Sequence, residues 1–268
     1  MKAQGATEYL VVLGAILFVA LMVAVVLFWP TGSTKDVRAS QAGIKSGIGK
    51  IACEDLTKGL VGYYKFDDVP GATRSSIEGM PDAVFVSGAT IADGIRGKAA
   101  SLDGINDYAT ISGMNVNTAA GEKNTVAFWM NWGGGTGEMP FSWAASYDLY
   151  FRSGTNCFGF NTGNSDSIGV EFPAANYSNQ WVHVAAIFYN GVPDENNTEL
   201  WINGVKQGSY YCYGTTSLSK SATTSAYIGR YGTSSSYSFG GKIDDLHIYD
   251  RALSASEIEQ LYENPGCP

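Results

Sequence analysis

The side chains of this sequence that could do chemistry are acids and aromatic rings, because the usual nucleophile and base combinations are absent. The chain has two histidines, no Gly-x-Ser-x-Gly segment and no glycine-rich phosphate loop. Retaining glycosidases need two carboxylates about 5 Å apart, and no predicted strand carries a closely spaced Glu and Asp that could supply them. His183 and His247 fall in apolar strands, where a buried structural imidazole is expected. We therefore expect no catalytic residues and do not expect an enzyme.

Several aromatic residues lie in or beside Gly/Ser-rich stretches that are predicted to be loops. Exposed aromatic rings stack on the apolar faces of sugars, while acids and amides bind the sugar hydroxyls. The alternative is that these rings simply pack over a hydrophobic core. The segment from Tyr210 to Tyr213 adds another aromatic cluster. The candidate ligand-binding residues are Trp132, Trp143, Tyr147, Tyr231 and Tyr237.

From residue 59 onward the sequence changes to short alternating segments separated by turn residues such as Asn203-Gly204. About a dozen short strands without helical interludes predict a mainly β fold, an antiparallel β-sandwich. A capping box of Ser254 and Glu257 predicts a short C-terminal helix. The predicted strands are residues 60–66, 99–102, 108–112, 125–131, 149–152, 158–161, 181–189, 199–202, 226–229 and 242–249. The large side chains expected in the core include Phe66, Trp129, Trp181 and Ile248.

The N-terminal 29 residues are predicted to form a long apolar helix. Residues 9–29 have no charged or amide side chain, and a helix of that length spans roughly 30 Å, the thickness of a bilayer core. The small residue Ala3 precedes this run, whereas a secretory leader has its cleavage site after it. Removal of residues 1–3 would leave Gln4 as the first residue and Glu8 as the fifth. This arrangement resembles the class III signal peptides of archaeal type IV pilin-like proteins, although Ala6 and Val12 replace the Ser and Leu of that pattern.

The resemblance implies cleavage between Ala3 and Gln4, membrane insertion before assembly, and packing of helix 4–29 with identical or related pilin subunits in a filament core. A carboxylate in an apolar core is costly unless it is paired, so Glu8 would pair with the new N-terminal amine of a neighbouring subunit. The alternative is an uncleaved signal anchor, in which Glu8 only interacts favourably with the helix dipole. Residues 30–58 are predicted to form a partly helical stalk that Pro30 separates from the first helix.

A series of motifs after residue 59 resembles the concanavalin A-like, laminin-G-like jelly-roll family. The motifs occur in the order GLVGYYKFDD (59–68), GKAASLDGINDY (97–108), VAFWM (126–130), QWVHVA (180–185), LWINGV (200–205), IGR (228–230) and FGGKIDDLHIYDRALS (239–254). The resemblance implies a jelly-roll domain over residues 59–268 that binds a carbohydrate or glycoprotein ligand.

The same resemblance implies a calcium ion, because many members of the family hold calcium through loop acids and backbone carbonyls. Calcium takes six to eight oxygen ligands at about 2.4 Å. The candidate ligands are Asp67, Asp103, Asp107 and Asp244. Successive strand residues point to opposite faces, so Asp244 and Asp245 are not expected to join the same site. The alternative is that these acids stabilise turns.

Four cysteines and two glycosylation sequons indicate an extracellular chain. Two disulfides are expected, and of the three possible connectivities we predict Cys53–Cys267, which joins the ends of the β-rich region, and Cys157–Cys212. Reduced buried thiols are the alternative. Asn176 and Asn196 each begin an Asn-x-Ser/Thr sequon and could carry glycans.

The net charge of −8 argues against a nucleic-acid ligand, because an acidic surface repels phosphates. The expected organisation is a leader (1–3), a pilin-like or transmembrane helix (4–29), a stalk (30–58) and a lectin-like domain (59–268). Together these parts predict a cell-surface filament subunit that mediates adhesion to glycans or glycoproteins. A monomeric membrane-anchored lectin-like receptor and, less favoured, an anchored glycan-acting enzyme are the alternatives.

Overall fold

The computed structural model describes residues 55–68, 78–144, 147–162, 166–232 and 234–267. They all belong to one compact unit, residues 49–268. The predictions for the leader, the apolar helix 4–29 and most of the stalk, including those for Ala3, Gln4 and Glu8, lie outside the described residues. Within these ranges, none of the helices has the length and apolar character needed to span a membrane.

The described residues form two antiparallel eight-stranded sheets that pack face to face. The strands are β1 (Leu60–Tyr64), β2 (Ala83–Val86), β3 (Thr90–Asp93), β4 (Lys98–Asp103), β5 (Tyr108–Ser112), β6 (Lys123–Trp132), β7 (Glu138–Trp143), β8 (Tyr147–Phe151), β9 (Cys157–Asn161), β10 (Ser167–Glu171), β11 (Trp181–Tyr189), β12 (Glu199–Ile202), β13 (Val205–Lys206), β14 (Tyr210–Tyr213), β15 (Ser225–Ile228) and β16 (Gly240–Tyr249). Sheet A has the order β13-β12-β11-β6-β16-β4-β3, with β1 also paired to β16. Sheet B has the order β14-β10-β9-β8-β7-β15-β5-β2. The predicted β-sandwich is therefore confirmed.

The core lies between the sheets and consists of alternate apolar residues from both. Phe128 and Val184 from sheet A and Phe141 and Phe160 from sheet B belong to one buried cluster. Among the predicted core residues, Phe66, Trp129 and Ile248 are buried. Trp181 differs, because it is the first residue of β11 and is only partly buried.

Within the described ranges, two helices and two 3₁₀ turns connect or cover the strands. The 3₁₀ turns are Asp55–Thr57 and Ser235–Tyr237, α1 is Ala174–Tyr177 and α2 is Ala255–Glu263. The predicted capping box is present, since the Ser254 side chain accepts from the Glu257 amide and the Glu257 side chain accepts from the Ser254 amide.

Helix α2 covers the outer face of sheet A. Its buried residues Ile258 and Leu261 form a second apolar cluster with sheet residues that include Ala185, Ile187 and Trp201. Apolar burial at this interface stabilises the helix, because a helix of nine residues is marginal in isolation. The outer face of sheet A is therefore a buried interface in this region rather than a surface that a ligand can reach.

Sheet B bends sharply between β9 and β10, where two glycines face each other in the ladder as the pair Gly159 and Gly169. A Cβ added to Gly159 would lie less than 3.0 Å from the Ile168 carbonyl oxygen, and one added to Gly169 would lie equally close to the Phe158 carbonyl oxygen. In a regular sheet the Cβ atoms point away from neighbouring main chains. These two glycines therefore allow β10 to turn across the outer face of β9.

The disulfide between Cys157 and Cys212 confirms one predicted pairing and shows the same bend. Cys157 of β9 lies opposite Glu171, at one end of β10. Cys212 lies in the part of β14 that pairs near Ser167, at the other end of β10. In a flat sheet, the regular spacings would separate the two cysteines by roughly 15 Å, but their Cα atoms are 6.1 Å apart. Cys267 is also disulfide-bonded, and its predicted partner, Cys53, lies outside the described residues.

Candidate functional site

The outer face of sheet B carries polar and aromatic side chains. Leu149 and Phe151 of β8 belong to the core, so the alternate residues Asp148 and Tyr150 point outward. By the same alternation Asn161 of β9 lies outward, directly opposite Asp148 in the ladder. The bend of β10 and β14 over this face explains why these polar residues are nevertheless buried.

A hydrogen-bonded polar floor lies at the base of this face. The Asn161 amide donates to both carboxylate oxygens of Asp148 at 3.0 Å. The Thr162 amide and hydroxyl donate to Asp166 at 3.1 Å and 2.6–2.8 Å. Burial raises the pKa of Asp148 to about 8, and the Asp166 charge adds to this effect while Asn161 and Lys220 oppose it. The floor is therefore built from buried groups that are satisfied within the protein.

A cluster of tyrosine rings lies above this floor. Tyr150 contacts Tyr237 edge to face with a centroid distance of 5.9 Å, and Tyr237 contacts Tyr231 at 5.8 Å. The Tyr150 hydroxyl shares a hydrogen bond of 3.0 Å with Ser153 Oγ. Tyr231 and Tyr237 are partly exposed. The structure thus brings together two of the five aromatic residues that the sequence analysis selected.

The other three are in the core, so the prediction that they are exposed was wrong. Trp132, Trp143 and Tyr147 lie in strands and are at most 2% exposed. The Trp132 ring stacks on Phe151 at 4.2 Å, and Tyr147 packs against Phe188 at 4.8 Å. They lie next to Gly/Ser-rich turns in sequence, but their strand register directs the rings into the space between the sheets, from sheet A for Trp132 and from sheet B for Trp143 and Tyr147. They cannot contact a ligand on the outer surface.

The edge strand β14 adds exposed aromatic surface to the same face. Its tyrosines Tyr210, Tyr211 and Tyr213 are 46%, 37% and 51% exposed. The Arg152 guanidinium lies 3.6 Å from the centroid of the Tyr213 ring and donates to Ser167 Oγ at 3.3 Å. The aromatic cluster at these positions was visible in the sequence, but its place at a sheet edge was not.

A second aromatic group lies toward the opposite edge of sheet B. The Tyr108 and Tyr227 rings are 6.0 Å apart, and the Arg230 guanidinium lies 4.2 Å from the Tyr108 centroid. Both tyrosines are partly exposed. The sequence analysis did not select these residues, because nothing in the sequence alone shows that β5 and β15 are neighbours.

The four candidate calcium ligands lie in two separate places. Asp67 and Asp244 line one pocket of about 320 Å³, together with Asp245 and the cations Lys65 and Arg96. Asp103 is the last residue of β4, and Asp107 lies in the turn that follows it. The Lys98 amide donates to Asp67 Oδ1 at 2.7 Å, and Lys98 and Asp103 are the two end residues of β4, roughly 17 Å apart at a regular strand rise. One ion therefore cannot bind all four acids.

Within the pocket, the acids also accept hydrogen bonds from the main chain. Asp244 Oδ2 accepts from the amides of Ile95 and Arg96 at 2.9 and 3.3 Å. Asp245 accepts from the Tyr63 hydroxyl at 2.7 Å and from the Gly266 amide. Burial raises the pKa of Asp244 to about 7, with Asp245 adding to the effect while the Arg96 and Ile95 amides oppose it.

The expectation that Asp244 and Asp245 would not share a site was wrong. Both residues line the same pocket, because β16 has an irregularity between Asp244 and His247 and Asp245 has a φ of 53°. A regular strand would have placed the two side chains on opposite faces.

Asp103 has the geometry of a turn-stabilising residue. Its Oδ1 accepts from the amides of Ile105, Asn106 and Asp107 at 2.8, 3.2 and 3.3 Å. These hydrogen bonds, with that of Ile105 the strongest, lower the pKa of Asp103. Burial and the nearby Asp103 charge raise the pKa of Asp107. This arrangement agrees with the turn-stabilising alternative for Asp103.

The pocket offers calcium few side-chain ligands. In the part of the chain that the structure describes, no three His, Cys, Asp or Glu side chains are grouped as metal ligands. Asp67 and Asp244 could supply carboxylate oxygens, but an ion with six to eight ligands would need main-chain carbonyls and water for the rest.

The two sequons differ in their surroundings. Asn176 is exposed on α1, and Asn196 is exposed in the turn before β12. Thr198 of the second sequon is only 2% exposed, and its hydroxyl donates to the Asp194 carbonyl at 2.7 Å. Both asparagines are thus exposed, and the second sequon differs in that its threonine is buried.

The histidines have the structural positions that the sequence analysis expected. His183 and His247 are 1% and 2% exposed. Burial lowers the pKa of His183 to about 3, and His247 adds to the effect. The His247 ring nitrogens lie 2.8 and 2.6 Å from the carbonyl oxygens of Asp245 and Cys267.

Comparison with known proteins supports the jelly-roll assignment. Residues 103–259 match the family model described as the concanavalin A-like lectin/glucanases superfamily. A comparison with curated proteins finds no match.

Solved structures share the fold at low sequence identity. Domain 4 of an extracellular arabinanase from Geobacillus stearothermophilus, in complex with arabinotriose, is 21% identical with a TM-score of 0.52, covering 76% of this chain and 98% of the other. The botulinum neurotoxin serotype D ligand-binding domain, in complex with N-acetylneuraminic acid, is 14% identical with a TM-score of 0.55, covering 80% and 53%. The binding domain of Paraclostridial mosquitocidal protein 1 is 18% identical with a TM-score of 0.56, covering 77% and 52%. The chain spans about half the length of these toxin domains.

Proposed function

The chain belongs to the concanavalin A-like lectin/glucanases superfamily, and from this premise we propose that it binds carbohydrate on the outer face of sheet B. The fold alone does not specify a ligand. The observation that supports the proposal is the difference between the two sheets. Helix α2 buries the outer face of sheet A, whereas sheet B carries partly exposed tyrosines above a hydrogen-bonded polar floor.

The chemistry of this face suits saccharides. The rings of Tyr231 and Tyr237 can stack on the apolar faces of sugars, and their hydroxyls can exchange hydrogen bonds with sugar hydroxyls. The bound arabinotriose and N-acetylneuraminic acid of two similar structures are consistent with such a ligand. A glycoprotein glycan or a free polysaccharide would present the same chemistry.

We also propose that the domain is displayed at the cell surface by a pilin-like N-terminal segment. In this proposal the leader is removed between Ala3 and Gln4, the helix inserts in the membrane, and subunits then assemble through residues 4–29 with Glu8 paired to a neighbouring amine. The support is the sequence register of these residues. Assembly would make the binding multivalent, which raises avidity by factors of roughly 100 or more over that of one site.

We propose that a calcium ion occupies the pocket that Asp67 and Asp244 line. The support is that two of the four predicted ligands meet there and that Asp244 is a buried carboxylate whose charge a cation would stabilise. The ion would stabilise this corner of the domain rather than contact the outer face of sheet B.

A glycan array probed with the detergent-solubilised full chain tests the proposed function. We expect binding to a defined subset of glycans and no release of reducing sugar, because binding without turnover is proposed. The Tyr231→Ala/Tyr237→Ala variant should lose most of the signal. Val205→Ala is a matched control, since Val205 is 62% exposed but lies at the edge of sheet A. Absence of binding by the wild type would refute the proposal, and released reducing sugar would favour an enzyme.

Electron microscopy of sheared cell-surface material tests the display proposal separately. Filaments that contain this chain are expected. A chain that retains residues 1–3 and forms no filaments would favour the membrane-anchored receptor instead.

A further inference from the structure

The edge strand β14 lies over the outer face of sheet B instead of extending the sheet sideways. The bend at Gly159 and Gly169 turns β10 across β9, and the Cys157–Cys212 bond then fixes β14 above β9. The position of the β14 side chains therefore depends on one covalent link as well as on the β10–β14 ladder.

The β14 tyrosines are the most exposed rings of this face. Tyr210, Tyr211 and Tyr213 are each more than a third exposed. The cation–π contact between Arg152 and Tyr213 and the hydrogen bond from Arg152 to Ser167 hold the end of the strand. Arg152 follows β8, the strand that carries Tyr150, so its contact with Tyr213 brings the end of β14 to the strand on which the Tyr150–Tyr237–Tyr231 cluster is built.

An oligosaccharide suits this surface better than an added protein strand does. Strand β14 has four residues, and its register with β10 shifts between Ser167 and Ile168. Short, irregular edges resist pairing with another strand. The tyrosines are uncharged, Arg152 is already engaged with Tyr213 and Ser167, and the chain is acidic overall. These properties favour a neutral ligand that combines apolar ring faces with hydroxyl groups.

We infer that the tyrosines of edge strand β14 form a second stacking site for a neutral oligosaccharide, with Tyr210 and Tyr213 on one side of the strand and Tyr211 on the other, and that the Cys157–Cys212 disulfide positions the strand. This inference rests on the proposed function, because it assigns an additional surface to the same lectin-like face. The ligand contacts the loop tyrosines Tyr231 and Tyr237 and the β14 tyrosines together, so it is longer than a single sugar.

The test uses the detergent-solubilised full chain on an array of neutral and acidic glycans. The triple variant Tyr210→Ala/Tyr211→Ala/Tyr213→Ala should bind the preferred neutral glycan about tenfold more weakly than the wild type, as expected for the loss of aromatic stacking. The corresponding triple Phe variant keeps the rings and should retain most of the binding. Val205→Ala again provides the control at the edge of the other sheet.

The positioning role of the disulfide is tested with Cys157→Ser/Cys212→Ser and with wild-type protein treated with dithiothreitol. Both should retain the far-ultraviolet circular dichroism of the folded sandwich but bind the preferred glycan about as weakly as the triple Ala variant. Wild-type affinity in both samples would overturn the positioning role. Dithiothreitol also reduces the disulfide of Cys267, so untreated Cys267→Ser is the control for that loss. If the double variant does not fold, the treated wild type is compared with this control.

The outcomes separate this inference from the proposed function. If the wild type binds glycans and the triple Ala variant binds equally well, the second surface is refuted while the proposed function stands. A preference for acidic glycans would overturn the assignment of a neutral ligand. If the wild type binds no glycan, the proposed function and the inference both fail.

Discussion

Replacing Asp148 by asparagine should stabilise the protein more at pH 8 than at pH 5. Asp148 is fully buried in the floor of sheet B, and burial raises its pKa to about 8, compared with about 3.9 in an unfolded chain. Between these values the folded protein binds a proton that the unfolded chain has released. The contribution of Asp148 to the free energy of unfolding is therefore fully present below about pH 4 and is lost as the pH rises toward 8.

The size of this effect follows from the difference between the two pKa values. A difference of about four units at 1.36 kcal/mol each gives roughly 5 kcal/mol lost between pH 4 and pH 8. The slope is about 1.4 kcal/mol per pH unit, the value for one proton. Asparagine cannot ionise and still offers an oxygen to the Asn161 amide, so the variant should lack this slope.

Urea unfolding of both proteins in the same detergent, followed by tryptophan fluorescence from pH 4 to pH 8, measures the effect. The neighbouring Asp166 and Lys220 are present in both proteins, so the difference between the two stability curves isolates Asp148. A difference that does not change with pH would show that Asp148 is already ionised in the folded protein and would refute the reasoning.

Three further predictions concern other parts of the chain. Calcium at 100 times its dissociation constant should raise the free energy of unfolding by about 2.7 kcal/mol, and Asp244→Asn should abolish this increase. An equal increase in the variant would exclude the pocket lined by Asp67 and Asp244 as the calcium site. Gly159→Ala should lower the free energy of unfolding in urea by about 1–3 kcal/mol, because its Cβ would overlap the Ile168 carbonyl. Gly208→Ala is the control, because a Cβ at position 208 would have open space around it. An equal loss of stability in the two variants would contradict the bend at Gly159. Intact-mass analysis of native protein should show loss of residues 1–3. Glu8→Gln should reduce the yield of filaments while leaving the domain folded. An uncleaved chain, or a normal filament yield from the variant, would contradict the pilin-like proposal.

Much of the sandwich could be predicted from the sequence because its strands alternate clearly and end at turn residues. The predicted strand 181–189 matches β11, and the predicted strand 199–202 matches β12. The capping box at Ser254 and Glu257 is local, so it was also predicted correctly. These features depend on neighbouring residues alone.

The features of the candidate site depend on contacts that are distant in sequence. Strand β7 was not predicted, so the Gly/Ser-rich stretch around Trp143 was interpreted as a loop. In the structure Trp143 lies in β7 and its ring is buried. Strands β10 and β14 were also not predicted. Their bend over the sheet depends on the pairing of Gly159 with Gly169 in the ladder. In the sequence, Asp148 cannot be distinguished from an ordinary polar residue, because its partner Asn161 is known only once β8 is paired with β9. Sequence alone gives the composition of this face but not its geometry.

A structure of the full chain with the best glycan from the array tests the central claim most directly. The account predicts that the sugar rings lie on the outer face of sheet B, in contact with Tyr231, Tyr237 and the β14 tyrosines. A sugar bound instead beside α2 on sheet A, or in the pocket lined by Asp67 and Asp244, would contradict it.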